Sequence, residues 1–430
     1  MTLANGSVLV LDANGQAGLS LVRSLGRRGL SVTAGSHVRS SLGRLSRHSV
    51  GGYHHPDPHR SEQRFVDHLL EHLEASSYEV VFPVLDSTSA VCSRHKETLE
   101  RTGTTVAVED WERFAIPYDK ARLFRLATSL PVRTPETWTP ESPATVAALA
   151  DDITYPVVVK PRSKTVWDSE GECHFTRVGD DNYADSPAEL VETYERLLER
   201  HPVLAEEDHY PMVQARIPGS TTTTVVLADA GEILLHFQEE RVRTYPASGG
   251  ESTLLRPVHD PEMFEAAETI IRALEWTGPA MVEFMRTPAG ESYLIEVNGR
   301  YWGSVPFAIE SGVDIPWHHY RLLRGETVDP PDYTNPVPLF HRLLYGDVKW
   351  LSEQLRAGNP AAIAQFLWAC FVAKQAFVSV NDPVPTLRSL VGVAAVGGRT
   401  AARRLRTVAA RGGRSVAGPV PDDVVTPRGN

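Results

Sequence analysis

"AMVEFMRTPAGESYLIEVNGR" (residues 280–300) contains two apolar runs, each interrupted by a carboxylate, joined by a turn-like segment. In the second run Tyr293, Ile295 and Val297 alternate with Leu294, Glu296 and Asn298, so a period of two places an acid and an amide on one face of a strand. Pro288 and Gly290 mark the intervening segment as the connection of a hairpin. A loop of Pro288 to Glu291, or of Ala289 and Gly290 alone, sets Glu283 directly opposite Glu296. Opposed residues have Cβ atoms roughly 4.5–5.5 Å apart, where two ionised carboxylates repel, so something cationic should sit between them. Oxygen ligands from Glu283, Glu296 and Asn298 suit Mg²⁺ or Mn²⁺, which completes its shell with substrate phosphates. The hairpin alone also admits two solvated acids on an outer face. Under the metal reading, Glu296→Gln removes one of two repelling charges, so the metal-free variant is expected to be at least as stable as its parent.

The chain has 430 residues, enough for two or three domains, with 42% hydrophobic and 23% charged residues. A net charge of -11 argues against nucleic acid and for small-molecule partners. Cys92, Cys173 and Cys370 lie far apart without a CxxC, which indicates neither a disulfide framework nor a zinc knuckle and suits the cytoplasm. No signal-peptide pattern opens the sequence. The longest apolar tract, residues 361–373, is shorter than a membrane span and reads as a buried helix. Only six of the 43 basic residues are lysines, so each retained lysine is a candidate for a tight phosphate contact.

Residues 7–35 read strand, turn, helix, strand, and "EVVFPVLD" (79–86) adds a further strand, giving a Rossmann-like α/β unit over 1–115. Gly15 and Gly18 form an incomplete dinucleotide fingerprint whose simpler role is close strand-to-helix packing. "YPVVVKP" is a strand ending on Lys160. The polar stretch 166–185 reads as a flap, and antiparallel strands turn at 229–231. Beyond 330 a Pro-rich linker leads to a mostly helical extension (331–430), whose arginine-rich end reads as a solvated tail rather than a contact with acidic lipid.

Paired acids, Lys120, Lys160 and a flap are the equipment for a nucleoside triphosphate, with metal bridging phosphate oxygens. A P-loop motif and the protein-kinase motifs are both missing. On these residues the chain resembles the ATP-grasp superfamily, in particular its carboxylate–amine ligases of the biotin carboxylase and carbamoyl phosphate synthase type. The resemblance implies a pre-ATP-grasp domain at 1–115 and a two-lobed α+β ATP-grasp domain at 116–330, with lobes of about 116–210 and 211–330. It implies phosphate contacts from Lys120 and Lys160, with Ser163 and Lys164 in place of a glycine-rich loop. Gln214 of "MVQARIPG" is expected to read the adenine edge, and Ala215 and Ile217 to line the ring pocket. Glu283, Glu296 and Asn298 are implied to hold Mg²⁺ or Mn²⁺, as two ions.

The implied reaction activates a carboxylate with ATP to an acyl phosphate that an amine then attacks. Arg300 is implied to meet the reacting carboxyl, and Arg241 and Arg243 are further candidates for oxyanion contact. Thr221 stands where relatives carry a ribose-binding acid. Asn298-Gly299-Arg300 stands where Asn-Pro-Arg is common, and the glycine is expected to loosen the backbone there. A homo-oligomer is compatible with this reading. Other readings are a Rossmann-type oxidoreductase, a non-catalytic ATP-binding protein of the same fold, and a metal hydrolase using His54, His55, His318 and His319, for which no HExxH-like spacing appears.

Overall fold

The computed structural model describes residues 6–168, 171–176, 178–206, 209–246, 250–329 and 340–389. The Pro-rich linker, the arginine-rich tail and the centre of the turn in "YPASGGES" (245–252) lie outside the described residues.

Near the N-terminus, apolar runs of β-branched residues form a five-stranded parallel sheet, in the order Gly51–His54, Ser31–Ser36, Ser7–Val10, Val80–Phe82, Thr105–Val106. Helix Gln16–Arg27 follows the first strand, and a Cβ on Gly18 would lie 2.5 Å from the Asp12 carbonyl oxygen. Gly18 therefore serves close packing, as the simpler reading had it. A four-stranded sheet follows, in the order Tyr183–Ala184, Val157–Lys160, Met212–Ala215, Thr137–Trp138. The largest sheet has seven strands, in the order Ser292–Asn298, Gly278–Arg286, Ser220–Asp229, Glu232–Tyr245, Glu251–Pro257, Phe340–Arg342, Ala373–Gln375. Its second hairpin turns on Ala230 and Gly231, both at positive φ. Val8, Val10 and Phe82 of the parallel sheet share one core with Val225, Phe237 and Phe307 from the later chain, so the first and largest sheets are packed together.

The described part of the segment after 340 contains helices Leu344–Arg356 and Ala361–Val372 and also supplies two short strands to the largest sheet. One expectation is corrected. Helix Ala361–Val372 is not buried: among its described side chains only Ala362 and Ala369 are, while Phe371 is 89% exposed. Its apolar residues run all round, a composition that does not say which face packs. No helix among the described residues is long and apolar enough to cross a membrane.

Candidate active site

The acidic hairpin pairs as its sequence demands where it matters: Glu283 is directly opposite Glu296, and Met281 opposite Asn298. Toward the turn the register shifts by one, pairing Phe284 with Leu294 and Arg286 with Ser292. The loop is three residues, Pro288 to Gly290, closed by Thr287 N–H to the Glu291 carbonyl at 2.9 Å, with Gly290 at φ +91. A bulge absorbs the extra residue and reverses the faces beyond it. Leu294 consequently joins Val297, Val282 and Phe284 in the core, not Glu296 and Asn298 as strict alternation predicts.

Around the pair the structure gathers cations. Lys164 Nζ lies 2.7 Å from Glu296 Oε1 and 2.9 Å from Asn298 Oδ1, and Lys120 Nζ lies 3.4 Å from Glu296 Oε2. Asn298 Nδ2 donates to Glu283 at 3.1 Å and to Glu296 at 2.9 Å, and Arg241 closes on Glu283 Oε2 at 2.5 Å. Burial works to raise Glu296, but Lys164, Lys120 and the Asn298 amide override it and hold the carboxyl well below its usual range. Glu283 goes the other way: burial and the charge of Glu296 raise it in spite of Arg241. Lys164 is lowered by burial and raised by Glu296 and Asp86, with the carboxylates prevailing.

Local structure explains how these groups arrive. Asp119 caps helix Lys120–Ala127 through the N–H groups of Ala121 and Arg122, and its carboxylate takes a bidentate contact from Arg162. The Lys120 N–H donates to the Arg162 carbonyl at 2.9 Å, which ties the first lysine to the loop that follows the second. The Ser163 hydroxyl donates to the Tyr118 carbonyl at 3.0 Å. The expected flap is an anchored hairpin where described, Thr165–Trp167 with Cys173–Phe175: Tyr118 donates to the Thr165 carbonyl, the Cys173 N–H donates to the His59 carbonyl, and Arg94 stacks on Trp167.

Gln214, expected at the adenine edge, is fully buried, its Oε1 accepting from Lys160 Nζ at 2.7 Å and its Nε2 donating to Thr137 at 2.9 Å, so it also orients the lysine. Ala215 and Ile217 remain half-buried just beyond it. Burial and the neighbouring Lys120 lower Lys160 to about 8, against the pull of Glu296 and Glu283. A phosphate contact favours the ammonium, so ATP affinity is expected to fall as pH rises through about 8, and Lys160→Ala to flatten that dependence in titration calorimetry. The sign for folding is opposite. A lysine whose folded value lies below its unfolded one makes nucleotide-free stability rise as pH climbs from about 8 toward about 10.4.

Arg300 reaches the cluster through Asn298 Oδ1 at 3.1 Å, but its fork is bound by Asp86 at 2.9 and 2.8 Å. Asp86 was visible only as the last residue of "EVVFPVLD", and its partner is 214 positions away. Gly299 does not loosen this turn: a Cβ there would lie 2.3 Å from the buried ring of Trp276, so the indole occupies the space a proline would need. Arg243 is not brought to the acids. Beyond a bulge at Arg241–Arg243 its guanidinium is buried on Asp347 at 3.1 and 3.2 Å, on the Gln365 carbonyl at 2.8 Å and over Trp350. Because Asp347 keeps Arg342, Arg243→Ala is expected to cost about 2–3 kcal/mol in denaturant melts while turnover per folded molecule is retained.

The site opens into a cleft lined by Asp86, Tyr118, Lys120, Lys164, Glu296 and Asn298. Its two facing carboxylates, one raised by burial and by the other's charge, suit a hard divalent cation. Asn298 joins them only by turning its amide, since its oxygen now accepts from Lys164 and Arg300. The histidines of the hydrolase reading do not converge: His54 bonds the Ser36 carbonyl, and His319 is buried against Tyr301 and pushed down to about 3 by burial. Among the described residues no group of three His, Cys, Asp or Glu side chains is placed to hold a metal.

A family model described as ATP-grasp in the biosynthetic pathway with Ter operon matches residues 208–341, which include the acidic hairpin. The C-terminal section of the carbamoyl phosphate synthase large chain of Methanopyrus kandleri is 26% identical over 205 residues, 46% of this chain and 35% of that relative. The chain thus spans about a third of the length of the curated relatives it matches. Biotin carboxylase of Campylobacter jejuni, solved with a nucleotide, superposes with a TM-score of 0.61 at 15% identity, over 77% of this chain and 73% of that one. N5-carboxyaminoimidazole synthetase of Staphylococcus aureus, solved with ADP, gives 0.59 at 14% identity, over 84% and 88%. The fold is the ATP-grasp fold, and the resemblance expected from the hairpin and the two lysines holds.

Proposed function

We propose that this chain is an ATP-dependent ligase that joins a carboxylate to an amine through an acyl phosphate, releasing ADP and phosphate, within the domain limits at 115 and 330 read from the sequence. The observation that carries the reading is the charge arrangement. Five cations, Lys120, Lys160, Lys164, Arg241 and Arg300, surround three carboxylates, Asp86, Glu283 and Glu296. Such an excess of positive charge suits a triphosphate, and the acid pair suits the Mg²⁺ that accompanies it.

A divalent cation bound by Glu283 and Glu296, with Asn298, would neutralise charge on the transferring phosphoryl oxygens. Lys120 and Lys160 hold phosphate oxygens, and Gln214 fixes the Lys160 ammonium. Lys164, its side chain 40% exposed, can leave Glu296 for a phosphate. Arg300, oriented by Asp86, and Arg241 present guanidinium groups to the carboxylate whose oxygen attacks the terminal phosphorus as ADP departs. The amine nitrogen then bonds to the acyl carbon, phosphate leaves and the nitrogen sheds a proton. ADP release screened over amino acids and small acids with Mg²⁺ tests the reading. Stimulation that needs both an acid and an amine supports it, and ADP release indifferent to both counts against it.

A further inference from the structure

Across the largest sheet, Glu296, Glu283, Thr223 and Glu239 occupy one row on four adjacent strands. Glu239 is 3% exposed. Ser304 donates its hydroxyl to Glu239 Oε1, while Oε2 has no hydrogen-bond partner among the described residues. Arg241, two residues along the same strand, gives its guanidinium to Glu283. A buried carboxyl without a cation is costly to ionise and holds its proton unless a ligand supplies the missing positive charge.

We infer that Glu239 and Ser304 form the subsite for the amine substrate, an inference that rests on the ligase reading above. The amine enters as an ammonium, gives one proton to the Glu239 carboxylate and attacks the acyl carbon as the neutral amine. Neighbouring strands are about 4.8 Å apart, so Glu239, two strands away along the row, stands roughly 10 Å from Glu283. Arg241 and Arg300 serve anionic groups; Glu239 repels them and attracts an ammonium. Burial raises its carboxyl to about 7, with Glu283 adding to the rise and Ser304 and Arg241 opposing it.

The test compares two nucleophiles on one acyl phosphate: hydroxylamine, uncharged at neutral pH, and an equimolar mixture of the common amino acids, which carry ammonium groups. In Glu239→Gln the KM for the amino-acid mixture is expected to rise about 10- to 100-fold, exceeding any loss in hydroxamate formation at least tenfold. Glu239→Asp, which keeps the charge, should fall between parent and Gln variant. In the unmutated protein with Mg²⁺ and a non-hydrolysable ATP analogue, adding the mixture should remove the infrared band of a buried protonated carboxyl. Equal losses with both nucleophiles, or a band the amines leave unchanged, overturns the subsite. A parent that forms no hydroxamate with any carboxylate overturns the ligase reading itself.

Discussion

Glu296→Gln is expected to lower Mg²⁺-dependent ATP turnover by at least about 10²–10³-fold, because it removes a ligand of the cation and the charge that organises two lysines. Its effect on the metal-free protein reverses what the isolated hairpin predicts. Removing one of two repelling acids should be harmless, yet Lys120, Lys164 and the Asn298 amide already absorb the repulsion. Glutamine removes the charge that balances Lys120, which is nearly enclosed, and one of the partners of Lys164, so the nucleotide-free variant should be less stable, by about 3 kcal/mol. The pH dependence follows from the depressed carboxyl. Its contribution is present above the unfolded glutamate value of about 4.3 and fades as pH falls through the lower folded value, so parent and variant should converge in acid. Melting curves with and without Mg²⁺, and ADP release, read both effects; a variant turning over at the parental rate refutes the assignment.

Lys160→Ala is expected to weaken ATP binding by about 10- to 100-fold, the equivalent of one charge-assisted hydrogen bond to phosphate. It also strands the Gln214 carbonyl in a fully buried position, which costs about 1–3 kcal/mol of stability. Titration calorimetry on the folded variant separates the two effects, and unchanged nucleotide affinity would remove Lys160 from the phosphate site.

Glu283 and Glu296 were legible as a pair because strand register is local, set by a short loop and the alternation on either side. The bulge that sends Leu294 to the core was not, since it appears only once the core has chosen Leu294 and Val297 together. Lys160 and Lys120 stood out in a lysine-poor chain. The partners that set their behaviour did not: Gln214 reads as a strand residue until the sheet places it beside Lys160. Asp86 and Arg300, like Arg243 and Asp347, are ion pairs between distant segments, and no periodicity in either segment encodes the other. Glu239 was hidden for a related reason, because "HFQEERVR" gives two adjacent acids and only the sheet shows which one is enclosed. Gly299 looked like a relaxation of the motif and is instead the residue that admits Trp276.

The central claim is that the site makes an acyl phosphate, and the most direct measurement follows the oxygen atoms. With an oxygen-18-labelled carboxylate identified by the ADP-release screen, the account predicts that the released phosphate carries one labelled oxygen, transferred when the carboxyl attacks the terminal phosphorus and left there when the amine displaces it. Phosphate free of label, in a reaction that still forms the amide, would contradict it.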